Sequence, residues 1–169
     1  YSFEPMPENF EILQKNISQY KNIRAFNYGL GSKNGSFKVY LSSDPENYGG
    51  ISFYPDAHGN QEKSYISCEV KNVNEIINDL EVDSIDLIKI DTEGAEYDIL
   101  STLKVDILRG TSWITGELHG NRDFELLDYL DSIGFSISFK KQICNRLFMF
   151  NAGRFEILSQ LNKKEIKIL

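Results

Sequence analysis

The run Ile85-Asp86-Leu87-Ile88-Lys89-Ile90, which passes directly into Asp91-Thr92-Glu93-Gly94, restricts the fold more than any other stretch of the chain. Its β-branched, mostly apolar character fits a central parallel strand, and the acidic, glycine-bearing exit ends that strand before helix formers resume from Ala95 to Leu103. Trp113 to Leu118 repeats the pattern of a buried strand. Phe124, Leu127, Leu130 and Ile133 mark a helix behind it, stopped by Gly134. Strands alternating with helices predict an α/β domain with a mostly parallel sheet.

The flanking segments extend the pattern. Tyr1 to Glu4 reads as the tail of a strand, and Pro5-Met6-Pro7 turns the chain into a helix whose apolar face is Phe10, Leu13, Ile17 and Tyr20. Ile23 to Tyr28 is a second strand, closed by Gly29, Gly31 and a Lys33-Asn34-Gly35 turn. Phe37 to Leu41 and Tyr65 to Val70 are strands bracketing a polar excursion over 42–64. Val73, Ile76, Ile77 and Leu80 predict a short amphipathic helix. Beyond Phe135, Ser136 to Phe139 and Arg146 to Phe150 follow each other with no helix between them, so they form a hairpin and the last strand is antiparallel. Residues 154–169 read as a terminal helix and basic tail. With no repeat, linker or low-complexity tract, residues 1–169 are expected to form a single domain.

A formal charge of −7 would repel phosphate backbones and anionic lipid, which excludes nucleic-acid and membrane partners from the expected set. No apolar run approaches the roughly 20 residues needed to span a bilayer. Cys68 and Cys144 have strand-like neighbours and no metal-ligand spacing. They read as buried thiols of a cytoplasmic protein.

Ligands of open α/β sheets sit beyond the carboxyl ends of the strands, which directs attention to polar residues at those ends. They are Glu4, Asn27 to Gly29, Asp91 to Gly94, and Glu117 to His119. An acid closing the second strand of a nucleotide-binding half, as Glu4 does, can accept both ribose hydroxyls. Asp91 ends its strand facing a ligand, while Thr92 and Glu93 also suit the cap and the positive end of the next helix. Glu117 and His119 alternate and therefore point to one face.

Phe3-Glu4-Pro5, Ile90-Asp91-Thr92-Glu93-Gly94-Ala95-Glu96 and Glu117-Leu118-His119, in that order, resemble the FkbM family of methyltransferases. The likeness runs from Tyr1 to about Asn151 and includes Gly50-Ile51-Ser52 and the Gly134-Phe135 turn. It implies a Rossmann-like methyltransferase fold, S-adenosylmethionine as cofactor, and O-methylation of a sugar or another natural product. By position, Glu4 would hold the cofactor ribose, Asn27, Tyr28 and Gly29 would line the adenine, and Asp91 would face the reacting centre. The family's Asp-Val-Gly-Ala-Asn-Ile-Gly type loop and its strand are expected upstream of Tyr1.

Methyl transfer to a hydroxyl requires alignment of two groups and acceptance of a proton. His119 is the preferred general base, with Glu117 orienting it and Asp91 favouring the sulfonium or orienting the acceptor. The spacing of Asp91, Glu117 and His119 is no metal signature, so no metal is expected. Two other classes stay open: a nicotinamide-dependent oxidoreductase, since an acid after a second strand also serves dinucleotides, and a catalytically inactive binding module.

Overall fold

The computed structural model describes residues 1–40, 65–119, 122–144 and 147–154, which fall into two compact units, Tyr1–Asp79 and Leu80–Leu169. The expected excursion over 42–64 and the terminal helix lie outside the described residues. Together the elements make a mixed α/β chain.

In the first unit β1 (Ser2–Phe3) pairs in parallel with β2 (Ala25–Phe26), and α1 (Pro7–Ile17) crosses between them. Pro7 stands at the start of α1, where its missing N–H is not needed, and Glu8 favours the positive end. The helix lacks a side-chain cap at Met6; instead Glu4 Oε1 accepts the Met6 N–H at 2.8 Å. The expected apolar face is only half covered: α1 has no buried residue, and Tyr20 lies beyond the helix, 50% exposed. Tyr1 and Phe3 share a face with Phe26 and Tyr28, because alternate residues of paired strands point the same way.

A three-stranded sheet of order β3-β5-β4 completes this unit, with β3 (Gly29–Gly31) parallel and β4 (Gly35–Tyr40) antiparallel to β5 (Tyr65–Asn72). The strand expected over Ile23 to Tyr28 is shorter, Ala25–Phe26, and the glycines expected to close it form a strand of their own: the chain leaves one sheet at Asn27 and enters another at Gly29. The Asn72 side chain accepts the N–H groups of Asn74 and Glu75 and so caps α2 (Val73–Asp79). Met6, Cys68, Val70, Val73 and Ile76 are the buried apolar residues among those described here. The Cys68 thiol is free, and burial raises its pKa, with help from Glu4 and Glu8.

The second unit holds a four-stranded sheet of order β6-β7-β9-β8. β6 (Leu87–Ile90) and β7 (Trp113–Leu118) are parallel, joined through α3 (Glu96–Thr102) and α4 (Val105–Gly110). After α5 (Asp123–Ser132), β8 (Phe135–Cys144) and β9 (Leu147–Arg154) form the expected hairpin. Its second strand inserts antiparallel between β7 and β8. Arg154, expected in a terminal helix, ends β9. Its guanidinium lies 4.0 Å from the Phe135 ring centre and donates to the carbonyl oxygens of Ile133 and Leu108, at the ends of α5 and α4.

The core of this unit is Leu100, Leu108, Ile114, Leu118, Leu126, Leu130, Phe135 and Phe150, each under 2% exposed. β6 is not central as expected: among the described residues it is an edge strand of this sheet, and Leu87 is 58% exposed. Gly116, opposite Ile90, permits the β6–β7 approach, since a Cβ there would stand 1.9 Å from the Ile90 carbonyl oxygen.

Candidate active site

Two groups of strand-end residues are assembled, one in each unit. In the first, the Glu4 N–H donates to Phe26 O at 3.0 Å, and Asn27 Nδ2 donates to Glu4 O at 2.9 Å. The parallel pairing of β1 with β2 therefore brings Glu4 and Asn27 side by side, as the strand-end argument expects. Burial raises the Glu4 carboxyl pKa and outweighs the Met6 N–H and Asn9 bonds that lower it. Tyr28 packs at a tilt against Phe3 and Phe26 and lies under the Lys71 ammonium, 4.3 Å from its ring centre. Gly29 leaves room for Val70 and Pro5, whose atoms a Cβ would meet at 3.3 and 3.6 Å. Its small size thus serves packing.

The second group is denser. The pairing of Ile90 with Gly116 places the ends of two parallel strands next to each other, so that Asp91 leaves β6 beside Glu117 on β7. His119 follows β7 on the same face as Glu117. Its Nδ1 is 3.5 Å from Glu96 Oε1 and 4.0 Å from Asp91 Oδ1. Its Nε2 is 3.6 Å from Glu117 Oε2 and 3.7 Å from Glu93 Oε2. One imidazole thus stands among four carboxylates, and Lys89 Nζ reaches Asp91 Oδ2 at 3.0 Å from the exposed side. Burial pulls the His119 pKa down, but Glu96, Glu93 and Asp91 outweigh it, and the net direction is upward.

Glu96 had no assigned role in the sequence reading. It is 1% exposed, and its Oε1 accepts the Thr92 N–H at 3.0 Å, the Thr92 hydroxyl at 3.1 Å and the Gly94 N–H at 3.1 Å. These bonds fold the loop between β6 and α3 around one oxygen. They also hold Glu93 and Gly94 at φ of 55° and 118°, a region that suits glycine and strains glutamate.

The expected capping by Thr92 and Glu93 is therefore corrected: Ala95 is the N-cap residue, without a side-chain cap, and Glu96 reaches backward instead. Burial would raise the Glu96 pKa, yet His119 and the bonds from Gly94 and Thr92 outweigh it and hold the carboxyl below its ordinary range. An acid and a Thr at this spacing around a glycine was the available signal, a lengthened relative of the Thr-x-x-Glu box.

One oxygen or nitrogen each from Asp91, Glu117 and His119 lies within 4.8 Å of the others, so these three residues can also hold a metal ion. Both groups of acids lie where parallel strands pair, Glu4 after β1 beside β2 and Asp91 after β6 beside β7.

The chain belongs to the FkbM methyltransferase family, whose Methyltransferase FkbM domain matches residues 1–137. It is 27% identical to "Methyltransferase 1" of Beauveria bassiana over 120 residues, which covers 60% of this chain and 47% of that protein. It is 24% identical over 179 residues to "AMB antimetabolite synthetase AmbE" of Pseudomonas aeruginosa, covering 83% of this chain and 8% of that protein. The chain therefore spans less than half the length of both relatives. No solved structure matches. Among the described residues, no helix is long and apolar enough to cross a membrane.

Proposed function

We propose that this chain carries out methyl transfer from S-adenosylmethionine to a hydroxyl of a sugar or another natural product, as one Rossmann-like domain spanning 1–169. The observation that carries the reading is the cluster of Asp91, Glu117 and His119 at adjacent ends of β6 and β7, inside the region matched by the family. The parallel pairs β1–β2 and β6–β7, with an antiparallel last strand, support the fold assignment.

The residues of the first unit fit the nucleoside end of the cofactor. Glu4 is part-buried with one oxygen fixed by the Met6 N–H, which orients the carboxylate before any ribose arrives. Asn27, Tyr28 and Gly29 line the adenine. When bound, S-adenosylmethionine supplies a methyl group activated by a sulfonium. Asp91 favours that positive charge and orients the acceptor, and His119 takes up the hydroxyl proton through Nε2, the nitrogen between Glu117 and Glu93. Glu117 keeps the ring turned toward the acceptor. The acceptor is a small molecule or a glycan, with neither nucleic acid nor membrane as partner, and the setting is cytoplasmic.

Titration calorimetry of the full-length protein with S-adenosylmethionine, followed by mass spectrometry of a panel of hydroxylated acceptors, tests this. Stoichiometric cofactor binding and addition of one methyl group to a hydroxyl are expected. Binding of a nicotinamide cofactor in its place would overturn the proposal.

A further inference from the structure

A neutral imidazole carries one N–H and one lone pair. With the proton on Nδ1, toward Glu96, the bare Nε2 of His119 faces a carboxylate oxygen of Glu117 at 3.6 Å. Lone pairs converging at that distance repel unless a positive charge lies among them. A proton supplies one such charge; a metal ion supplies two and gives the oxygens a common partner.

The burial of Glu96 is an independent sign. This side chain is 1% exposed, its Oε2 has no hydrogen-bond partner, and His119 Nδ1 beside it is buried without one. A carboxylate so placed is costly without a nearby cation. Histidines that ligate metals commonly direct their other nitrogen at a carboxylate, the place Glu96 occupies here, 3.5 Å from Nδ1.

The spacing closes the argument. Donor atoms about 2.0 to 2.2 Å from one ion stand roughly 3 to 4.4 Å apart. The donor atoms of Asp91, Glu117 and His119 lie within 4.8 Å of one another, so rotation of the exposed Asp91 and half-buried Glu117 carboxylates brings them toward a common ion.

We infer that Asp91, Glu117 and His119 bind one divalent first-row cation, with Glu96 as the outer carboxylate that holds the imidazole. Two oxygens and one nitrogen suit Mn²⁺ or Zn²⁺ and leave positions for an acceptor hydroxyl. This deepens the proposed function, rests on its assignment of the acceptor to this cluster, and replaces the role of His119 as base with that of a ligand. With the ion seated, His119 is a ligand, and the hydroxyl polarised by the ion releases its proton to solvent.

The test uses the full-length protein, stripped with chelator and titrated with Mn²⁺ while free Mn²⁺ is followed by electron paramagnetic resonance. One site per chain is expected. Asp91→Asn and Glu117→Gln should each weaken it by about 10-fold or more, and Asp86→Asn should leave it unchanged. Competition by Zn²⁺ at the same stoichiometry supports the site. Absence of binding below about 1 mM, or binding that both ligand variants leave intact, overturns it. Turnover is measured in parallel. Full methyl transfer by the stripped protein overturns the ion and leaves the methyltransferase reading standing; Mn²⁺ bound at one site with no methyl transfer to any acceptor overturns that reading and leaves the ion.

Discussion

Replacing Glu96 should cost stability in an amount that separates hydrogen bonding from charge. Alanine removes the acceptor of three bonds, 3.0 to 3.1 Å long, and strands the Thr92 and Gly94 N–H groups in a buried loop. Each stranded group costs about 1 to 3 kcal/mol, and relief of the carboxylate's own desolvation offsets part of that, so Glu96→Ala should lose about 3 to 5 kcal/mol. Glu96→Gln keeps an oxygen in place and loses only the charged increment of each bond, about 1 to 2 kcal/mol net.

Because the folded carboxyl is held below its ordinary value of 4.5, its stabilisation is fully present above that value. It is lost as pH falls through the folded pKa, and Glu96→Gln should flatten that acid-side slope. Urea denaturation followed by the fluorescence of Trp113, the single tryptophan, measures all three quantities. The reasoning fails if Glu96→Ala costs under about 1 kcal/mol, or if glutamine costs as much as alanine.

Gly116→Ala should destabilise the second unit by about 2 to 3 kcal/mol and speed hydrogen exchange of β6 amides, because its Cβ meets backbone that cannot rotate away. Arg154→Ala should cost about 1 to 3 kcal/mol in the same denaturation assay, through the lost bonds to Ile133 and Leu108. Glu4→Ala should weaken S-adenosylmethionine binding by about 1.5 to 3 kcal/mol in calorimetry, and unchanged affinity would remove Glu4 from the site. His119→Ala should lower turnover by about 10² to 10⁴ while sparing cofactor affinity, as base or as ligand; retained turnover would move the proton to another group.

The elements around β6 and β7 were legible because periodicity and turn residues act locally: Trp113 to Leu118 matches the observed strand residue for residue. The adjacency of Asp91, Glu117 and His119 was legible too, since parallel strands share an edge. Four things were not. The edge position of β6 depends on pairing, which an apolar run does not encode. The exposure of α1 depends on what its face meets, and Phe10, Leu13 and Ile17 carry the same periodicity whether covered or bare. Glu96 reads as an ordinary helix residue until the backbone of Thr92 to Gly94 doubles back over it, a local turn through positive φ at Glu93 and Gly94 that its own spacing does not announce. Residue 154 was misplaced for a similar reason: a strand that continues is indistinguishable from a helix that begins when only the last few polar residues are considered.

The strand order β6-β7-β9-β8 has a consequence for biosynthesis. A chain leaving the ribosome completes β7, which bears Glu117 and leads to His119, well before its second neighbour β9 is made. Until Arg154 has emerged, one edge of the site-bearing strand offers unpaired N–H and C=O groups, the condition under which nascent chains recruit each other. The family match stops at residue 137, inside β8 and short of β9 altogether. A chain translated only to that boundary would carry every residue assigned to the site and still lack the strand that seals it, so it should accumulate on chaperones rather than as free monomer.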